Sequence, residues 1–156
     1  MPRHGYIPKR KIAPDPIYGS VLVQKFINKM MYQGKKFKAE KIVYSAMDVM
    51  KEKLKKDPLE IFEKALKNAA PLMELKPRRV GGSTYQVPIE VSSERGRALA
   101  IQWIRQYSRS RPGKSMIAKL SDELMDAYNN TGASIKKKED THKMAEANRA
   151  FSHFRW

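Results

Sequence analysis

The chain of 156 residues carries 32 Lys and Arg against 16 Asp and Glu, a formal net charge of +16, with no cysteine. This length predicts one domain around one core. The missing cysteines exclude disulfides and thiolate metal sites, and three scattered histidines argue against zinc, so neither cofactor nor metal is expected.

No apolar run reaches the ~20 residues of a membrane span. The basic N-terminus is not followed by the apolar stretch of a secretory leader, so a soluble chain is expected, and the absence of cysteine is compatible with a reducing cytoplasm. An excess of positive charge on this scale repels itself and is relieved when a polyanion releases its counterions to it. The basic residues are spread broadly along the chain, which favours nucleic acid over a membrane surface.

Residues 1–16 hold Pro2, Pro8, Pro14 and Pro16 together with Arg3, Lys9, Arg10 and Lys11, and no acid before Asp15. They read as an extended basic arm ahead of a helical domain over residues 17–156. From Val21 to Met31, the apolar residues Leu22, Phe26, Ile27, Met30 and Met31 follow helical spacing, with Gly34 placed to stop the helix. The next helix turns Ala39, Ile42, Val43, Ala46, Met47, Met50 and Leu54 to one side and Lys35, Lys36, Lys38, Lys41, Lys51 and Lys53 to the other. "DPLEIFEKALKNAAPLME" starts a third, where Asp57 caps, Pro58 takes the first position and Glu60 follows; Leu59, Phe62, Leu66 and Ala69 or Ala70 supply its buried stripe.

A β-hairpin arm is predicted at about residues 73–91. Tyr85, Val87, Ile89 and Val91 alternate with Gln86, Pro88 and Glu90, while Met73 and Leu75 offer a shorter apolar limb on the way to Arg78, Arg79 and the Gly81–Gly82 turn. Pro88 cannot donate to a ladder, so this limb is expected at an exposed edge. A lone hairpin is marginal in water, so its base is expected to pack on helices while its tip projects. A fourth helix follows Ser92 or Ser93, with Leu99, Ala100, Trp103, Ile104 and Tyr107 inward. From Arg95 through Arg97, Arg105, Arg109, Arg111 and Lys114 no acid appears until Asp122, a run that suits phosphate better than a mixed solvated face. Ser115 is placed to cap a fifth helix carrying Ile117, Leu120, Leu124, Met125 and Tyr128. In the sixth, after Lys136, Lys137 and Lys138, a start near Glu139 and Asp140 would face Met144, Ala147 and Phe151 to their neighbours. Phe151, Phe154 and Trp156 suit either burial or stacking on nucleic acid.

The fold class is therefore mainly α: a compact bundle of about six helices, a projecting hairpin arm and an extended basic N-terminus. Catalytic motifs are lacking. "RPGKS" at 111–115 ends like a phosphate-binding loop, but Ser108 stands where its first glycine belongs, and His4, His142 and His153 form no ligand pattern. The competing classes are an enzyme acting on RNA, which lacks a catalytic pocket motif, and a helix-turn-helix DNA regulator, which lacks a clear recognition helix.

The segments "PDPIYGS", "FINKMMYQGKK", "DPLEIFEKALKNAAPLMELKPRRVGGSTYQVPIEV", "LAIQWI", "ELMDAYNNTGASIKKKEDTHKMAEANRAF" and "FRW" occur in this order. Together they resemble the bacterial form of small-subunit ribosomal protein family seven across essentially the whole chain. The resemblance implies a non-enzymatic protein that binds the 3′ major domain of 16S rRNA and organises the subunit head. It also implies that exit-site tRNA and the mRNA path lie nearby, that head proteins and a platform protein are neighbours, and that translation of the operon messenger is repressed. It further implies a monomer outside the ribosome, no membrane partner and a cytoplasmic location. Carried over, rRNA contact is expected at the N-terminal arm, Lys35, Lys36, Arg78, Arg79, Arg95, Arg109, Arg111 and Lys136 to Lys138, while Gly81 and Gly82 resemble the hairpin tip near tRNA. Lys114 joins this set from the acid-free run.

Overall fold

The computed structural model describes residues 11–154. Among these, the elements in chain order are α1 Val21–Met30, α2 Lys36–Leu54, α3 Pro58–Ala69, β1 Met73–Val80, β2 Ser83–Glu90, α4 Ser93–Ser110, α5 Met116–Tyr128 and α6 Ala133–Ala147, closed by a 3-10 segment over Arg149–Phe154. Arg3, Lys9 and Arg10 of the basic arm lie outside the described residues, as does Trp156.

Local chemistry sets several helix starts. The Asp57 carboxylate accepts the Leu59 N–H at 3.3 Å with Pro58 in the first turn, and Ser92 Oγ accepts the Arg95 N–H at 3.4 Å. Such caps are each worth about 1 kcal/mol. Ser115 occupies the expected cap of α5 but makes no side-chain cap bond. Helix α1 ends at Met30, ahead of Gly34, because the chain turns sharply: the Lys35 N–H donates to Tyr32 O at 3.1 Å, with Gln33 at φ +51°.

The apolar stripes meet in one cluster built on α5, which packs against α2, α3 and α4. Phe26, Ile27, Met47, Met50, Ile61, Phe62, Leu66, Ile104, Leu120 and Leu124 are fully enclosed. Phe26 meets Phe62 edge-on, with centroids 5.3 Å apart at 82°, a geometry worth about 0.5–1.5 kcal/mol beyond the area buried. Helix α6 departs from expectation. It begins at Ala133, so Glu139 and Asp140 are mid-helix, and its covered residues are Ser134, Ile135, Thr141 and Ala145, while Met144 and Ala147 face solvent. The buried side is partly polar because neighbouring groups satisfy it, so an apolar-only stripe points to the wrong face.

The hairpin has a two-residue Gly81–Gly82 turn with φ of +57° and +89°. Both positive values suit the type I′ geometry that matches strand twist, and glycine adopts them without a Cβ penalty. The resulting register places Leu75 opposite Pro88 and Met73 opposite Glu90. Met73 and Leu75 therefore lie on the face opposite Tyr85, Val87 and Ile89, not as a limb matching them. The Val91 N–H donates to Leu72 O at 2.9 Å, and with alternation along the ladder this puts Pro77 and Pro88 at pairs that exchange no bonds. Their missing N–H groups thus cost the ladder nothing. β2 does have one free edge, since the sheet contains only these two strands among the described residues, but Pro88 itself is buried. Val87 and Pro88 point to opposite faces and both are buried, so the base of the arm is covered on both sides where α6 and the 3-10 segment pack. Tyr85 holds Phe151 and Phe154 at centroid distances of 5.0 and 5.4 Å, which assigns these terminal aromatics to packing. From Lys76 to Arg79 the arm is exposed.

Candidate nucleic-acid interface

The described cations divide into those with work inside the protein and those facing water. Arg78 and Arg79 lie on successive positions of β1, and hence on opposite faces of the arm, opposite Tyr85 and Thr84. Both are exposed, and neither has an ion pair among the described residues. Two bonded strands hold their backbone while the side chains remain available, a rigid mount for long cations.

Lys35 and Lys36 sit at the start of α2, where Lys36 pairs with Glu40 at 3.4 Å and Lys35 Nζ donates to Gln33 Oε1 at 3.1 Å. Both side chains remain exposed, so these contacts are weak. Helices α2 and α5 begin with no acid in the first turn and no side-chain cap, leaving N–H groups and the positive dipole end uncompensated, whereas at α6, which also lacks both, the Glu123 carboxylate of α5 accepts the Ser134 N–H. Lys114 precedes α5, and Lys136 and Lys137 follow the start of α6. Cations near a helix N-terminus are unfavourable alone and favourable once an anion sits there. Lys11 is exposed just before the fold begins.

Several residues expected at phosphate also make bonds within the fold. Arg109 Nη2 donates to Met30 O at 2.9 Å and Arg105 Nη1 to Lys29 O at 3.4 Å, so two residues one helical turn apart on α4 satisfy the last carbonyls of α1. Lys138 Nζ donates to Asn68 O at 2.7 Å near the end of α3, and Asn68 Nδ2 donates to Ala127 O and Tyr128 O near the end of α5. Arg95 pairs with Glu74 of β1 at 3.2 Å, linking α4 to the arm.

Arg111 has the deepest engagement. Its Nε lies 2.6 Å from Glu123 Oε2, and its Nη2 bonds Asp126. Glu123 is 0% exposed and also accepts the Ser134 N–H at 3.0 Å and Ser134 Oγ–H at 2.5 Å. Burial opposes the charge of Arg111, but the two carboxylates outweigh it and raise its pKa. Gly132 fits tightly beside this group: at φ +91°, a Cβ there would stand 2.9 Å from Asp126 Cβ. Sequence reading missed Glu123, because a lone Glu on an amphipathic helix carries no mark of burial; Leu120, Leu124 and Ala127 flanking it at helical spacing were the available signal.

The junction with the basic arm was also hidden. Asp15 is 1% exposed; its carboxylate accepts N–H groups from Ile17 and Tyr18 at 3.1 and 2.9 Å and the Tyr44 hydroxyl at 2.5 Å. Desolvation and this bond raise the Tyr44 pKa. His142 takes a comparable role at the base of the arm, where its Nε2 accepts the Leu72 N–H at 3.0 Å. That bond requires an unprotonated Nε2, in keeping with a pKa lowered by burial and by Lys138.

The described residues contain no group of three or more His, Asp and Glu arranged to hold a metal. The cleft of about 710 Å³ beside His142 is also lined by Glu146, Ser152 and His153, but the described hydrogen bonds of His142 and His153 go to the Leu72 N–H and Ala150 O, and none joins either ring to Ser152. No described helix is long and apolar enough to cross a membrane.

Comparison with known proteins agrees with these features. Residues 2–149 match the family described as ribosomal protein S7p/S5e. The chain is 60% identical over 156 residues to the small ribosomal subunit protein uS7 of Caldanaerobacter subterraneus, covering 100% of both chains. It is 62% identical over 148 residues to uS7 of Thermotoga neapolitana, covering 95% of this chain and 96% of that one. The uS7 of Desulfatibacillum aliphaticivorans is 62% identical over 156 residues, with 100% of both chains covered.

Proposed function

The chain belongs to the ribosomal protein S7p/S5e family, and from that membership we propose that it is a structural, non-enzymatic component of the small ribosomal subunit in the cytoplasm. It binds the 3′ major domain of 16S rRNA and organises the subunit head. The observation that carries this reading is the set of cations without a described carboxylate partner: the exposed Arg78 and Arg79 on the arm, with the exposed Lys114 and Lys136 and the half-buried Lys137 near helix starts. Spread over separate elements, they suit an irregular folded RNA better than the single groove met by a recognition helix.

In the same reading, Lys35 and Lys36 add phosphate contacts, as do Lys11 and the basic arm before it. Arg95, Arg109, Arg111 and Lys138 support the interface chiefly by holding the helices and the arm in place. The Gly81–Gly82 tip borders exit-site tRNA, the mRNA path runs nearby, and head proteins and a platform protein are neighbours. Outside the ribosome the protein is a monomer that represses its operon messenger.

Titration of small-subunit rRNA with the purified protein at increasing monovalent salt tests the primary claim. Neutralising five or more phosphates gives a slope of log affinity against log salt of about −3.5 or steeper, taking the single-strand coefficient. A slope near zero would remove the electrostatic basis of the proposal. Footprinting the bound rRNA then decides whether the protected nucleotides fall in the 3′ major domain.

A further inference from the structure

The corner between α1 and α2 exposes two aromatic rings that the fold does not use. Phe37, at the second position of α2, is 78% exposed, and Tyr32, in the turn before it, is 68% exposed. No ring-to-ring contact joins either to another described aromatic residue, and neither belongs to the hydrophobic core or to the side chains packed against it. A single exposed apolar residue is ordinary. Two exposed rings within six residues of sequence, set among Lys35, Lys36, Lys38 and Lys41, all of them exposed, give this corner a distinct chemical composition.

The neighbouring charges identify the partner. Lysine is depleted in protein–protein interfaces, and four lysines against Glu40 would tax the desolvation of a protein contact. The same surroundings suit a polyanion whose own apolar groups are flat rings. Beside Tyr32 lies an open cleft of about 290 Å³, walled by Lys35, Lys38, Arg109 and Met116, wide enough to receive one base with its phosphate near the cations. Arg109 already donates to Met30 O, so it holds that wall in place.

We propose that Tyr32 and Phe37 form a stacking site for unpaired nucleobases of RNA, with Lys35 and Lys38 taking the adjoining phosphates. The site rests on the reading of the protein as an rRNA binder and adds to it a contact with base rings where the other assigned contacts are with phosphate. Stacking is sequence-tolerant, because every base has a π-face, and its strength depends little on salt. It therefore leaves a signature that a lysine contact does not.

The full-length protein and its Tyr32→Ala, Phe37→Ala and double variants are titrated with an intact small-subunit rRNA transcript at several salt concentrations, after circular dichroism melting has verified folding. Each single variant is expected to bind about 5-fold or more weakly, as loss of one stacked base implies. The salt slope is expected to stay at the parent value, whereas Lys35→Gln lowers its steepness by about 0.7–0.9. Phe37→Trp and Tyr32→Phe, which keep a π-face, are expected to restore binding. Irradiation of the parent complex at short ultraviolet wavelength is expected to leave a nucleotide adduct on the peptide containing Tyr32 or Phe37. A double variant that binds within about twofold of the parent overturns the stacking site and leaves rRNA binding intact. A parent that fails to bind the transcript overturns both. A loss seen only when another small-subunit protein is present reassigns the patch to a protein contact and also overturns the proposal.

Discussion

Replacing Arg111 by Gln separates its structural role from a phosphate role. The substitution strips Glu123 of its cation while the carboxylate stays fully buried, with Ser134 as its remaining described partner. Removing one member of a buried pair costs about 3–5 kcal/mol, because the other charge is left uncompensated. Arg111 is itself 25% exposed and Asp126 lies nearer the solvent, so the lower end, about 3 kcal/mol, applies. For a chain of this length each kcal/mol moves the midpoint by roughly 2–4 °C, giving a fall of about 6–12 °C in a circular dichroism melt. Adding Glu123→Gln removes the stranded charge, and the double variant is expected to melt above Arg111→Gln alone, with a coupling of about 0.5–3 kcal/mol. Affinity for rRNA, counted per folded molecule, is expected to change little. A melt within about 2 °C of the parent, accompanied by weaker binding and a shallower salt slope, would show that the guanidinium faces phosphate and refute the structural assignment.

Changing Arg78 and Arg79 together to Gln is expected to leave the melt within about 0.5 kcal/mol, as for exposed surface sites, and to make the rRNA salt slope shallower by about 1.4–1.8; an unchanged slope would take these residues out of the interface. Deleting the tip from Val80 to Ser83 and closing it with a short turn is expected to spare folding and most rRNA affinity, since the buried residues of the arm are Val87 and Pro88 at its base. Assembled subunits carrying the deletion are expected to lose tRNA retention more than protein incorporation, and failed incorporation of a folded variant would contradict this. His142 binds protons less readily in the fold than its ordinary value of 6.5, so the unfolded chain takes up more protons and stability falls as pH drops below that value. Protection of the Leu72 amide, its exchange followed by NMR relative to the intrinsic rate at each pH, is expected to fall as pH drops below about 6.5, and a profile indifferent to a His142→Gln change would remove histidine from the argument.

Features made by neighbours in the chain were legible without coordinates. The Asp57–Pro58 start, the Ser92 cap, the Gly81–Gly82 turn and the inward stripes of α2 and α3 each depend on residues within a turn or two of one another, and the structure reproduces them. The helical class and the projecting arm follow from the same short-range periodicities. The hairpin register lay at the boundary of what could be read: the turn length implied it, but counting back from the turn was needed to see that Leu75 meets Pro88.

Only the tertiary structure decided which charges are spent inside the fold. An arginine looks the same in a sequence whether its partner is a phosphate or a carbonyl 79 positions away, as for Arg109 and Met30. Lys138 and Asn68 lie 70 residues apart, and Asp15 and Tyr44 lie 29 apart. A buried Glu123 becomes tolerable only when α5, the start of α6 and Arg111 converge on it. The total charge, and with it the need for a polyanion, was set by composition, because electrostatic excess adds up regardless of arrangement. The division of that charge between partner and fold depends on distances and desolvation, which exist only once the chain has packed.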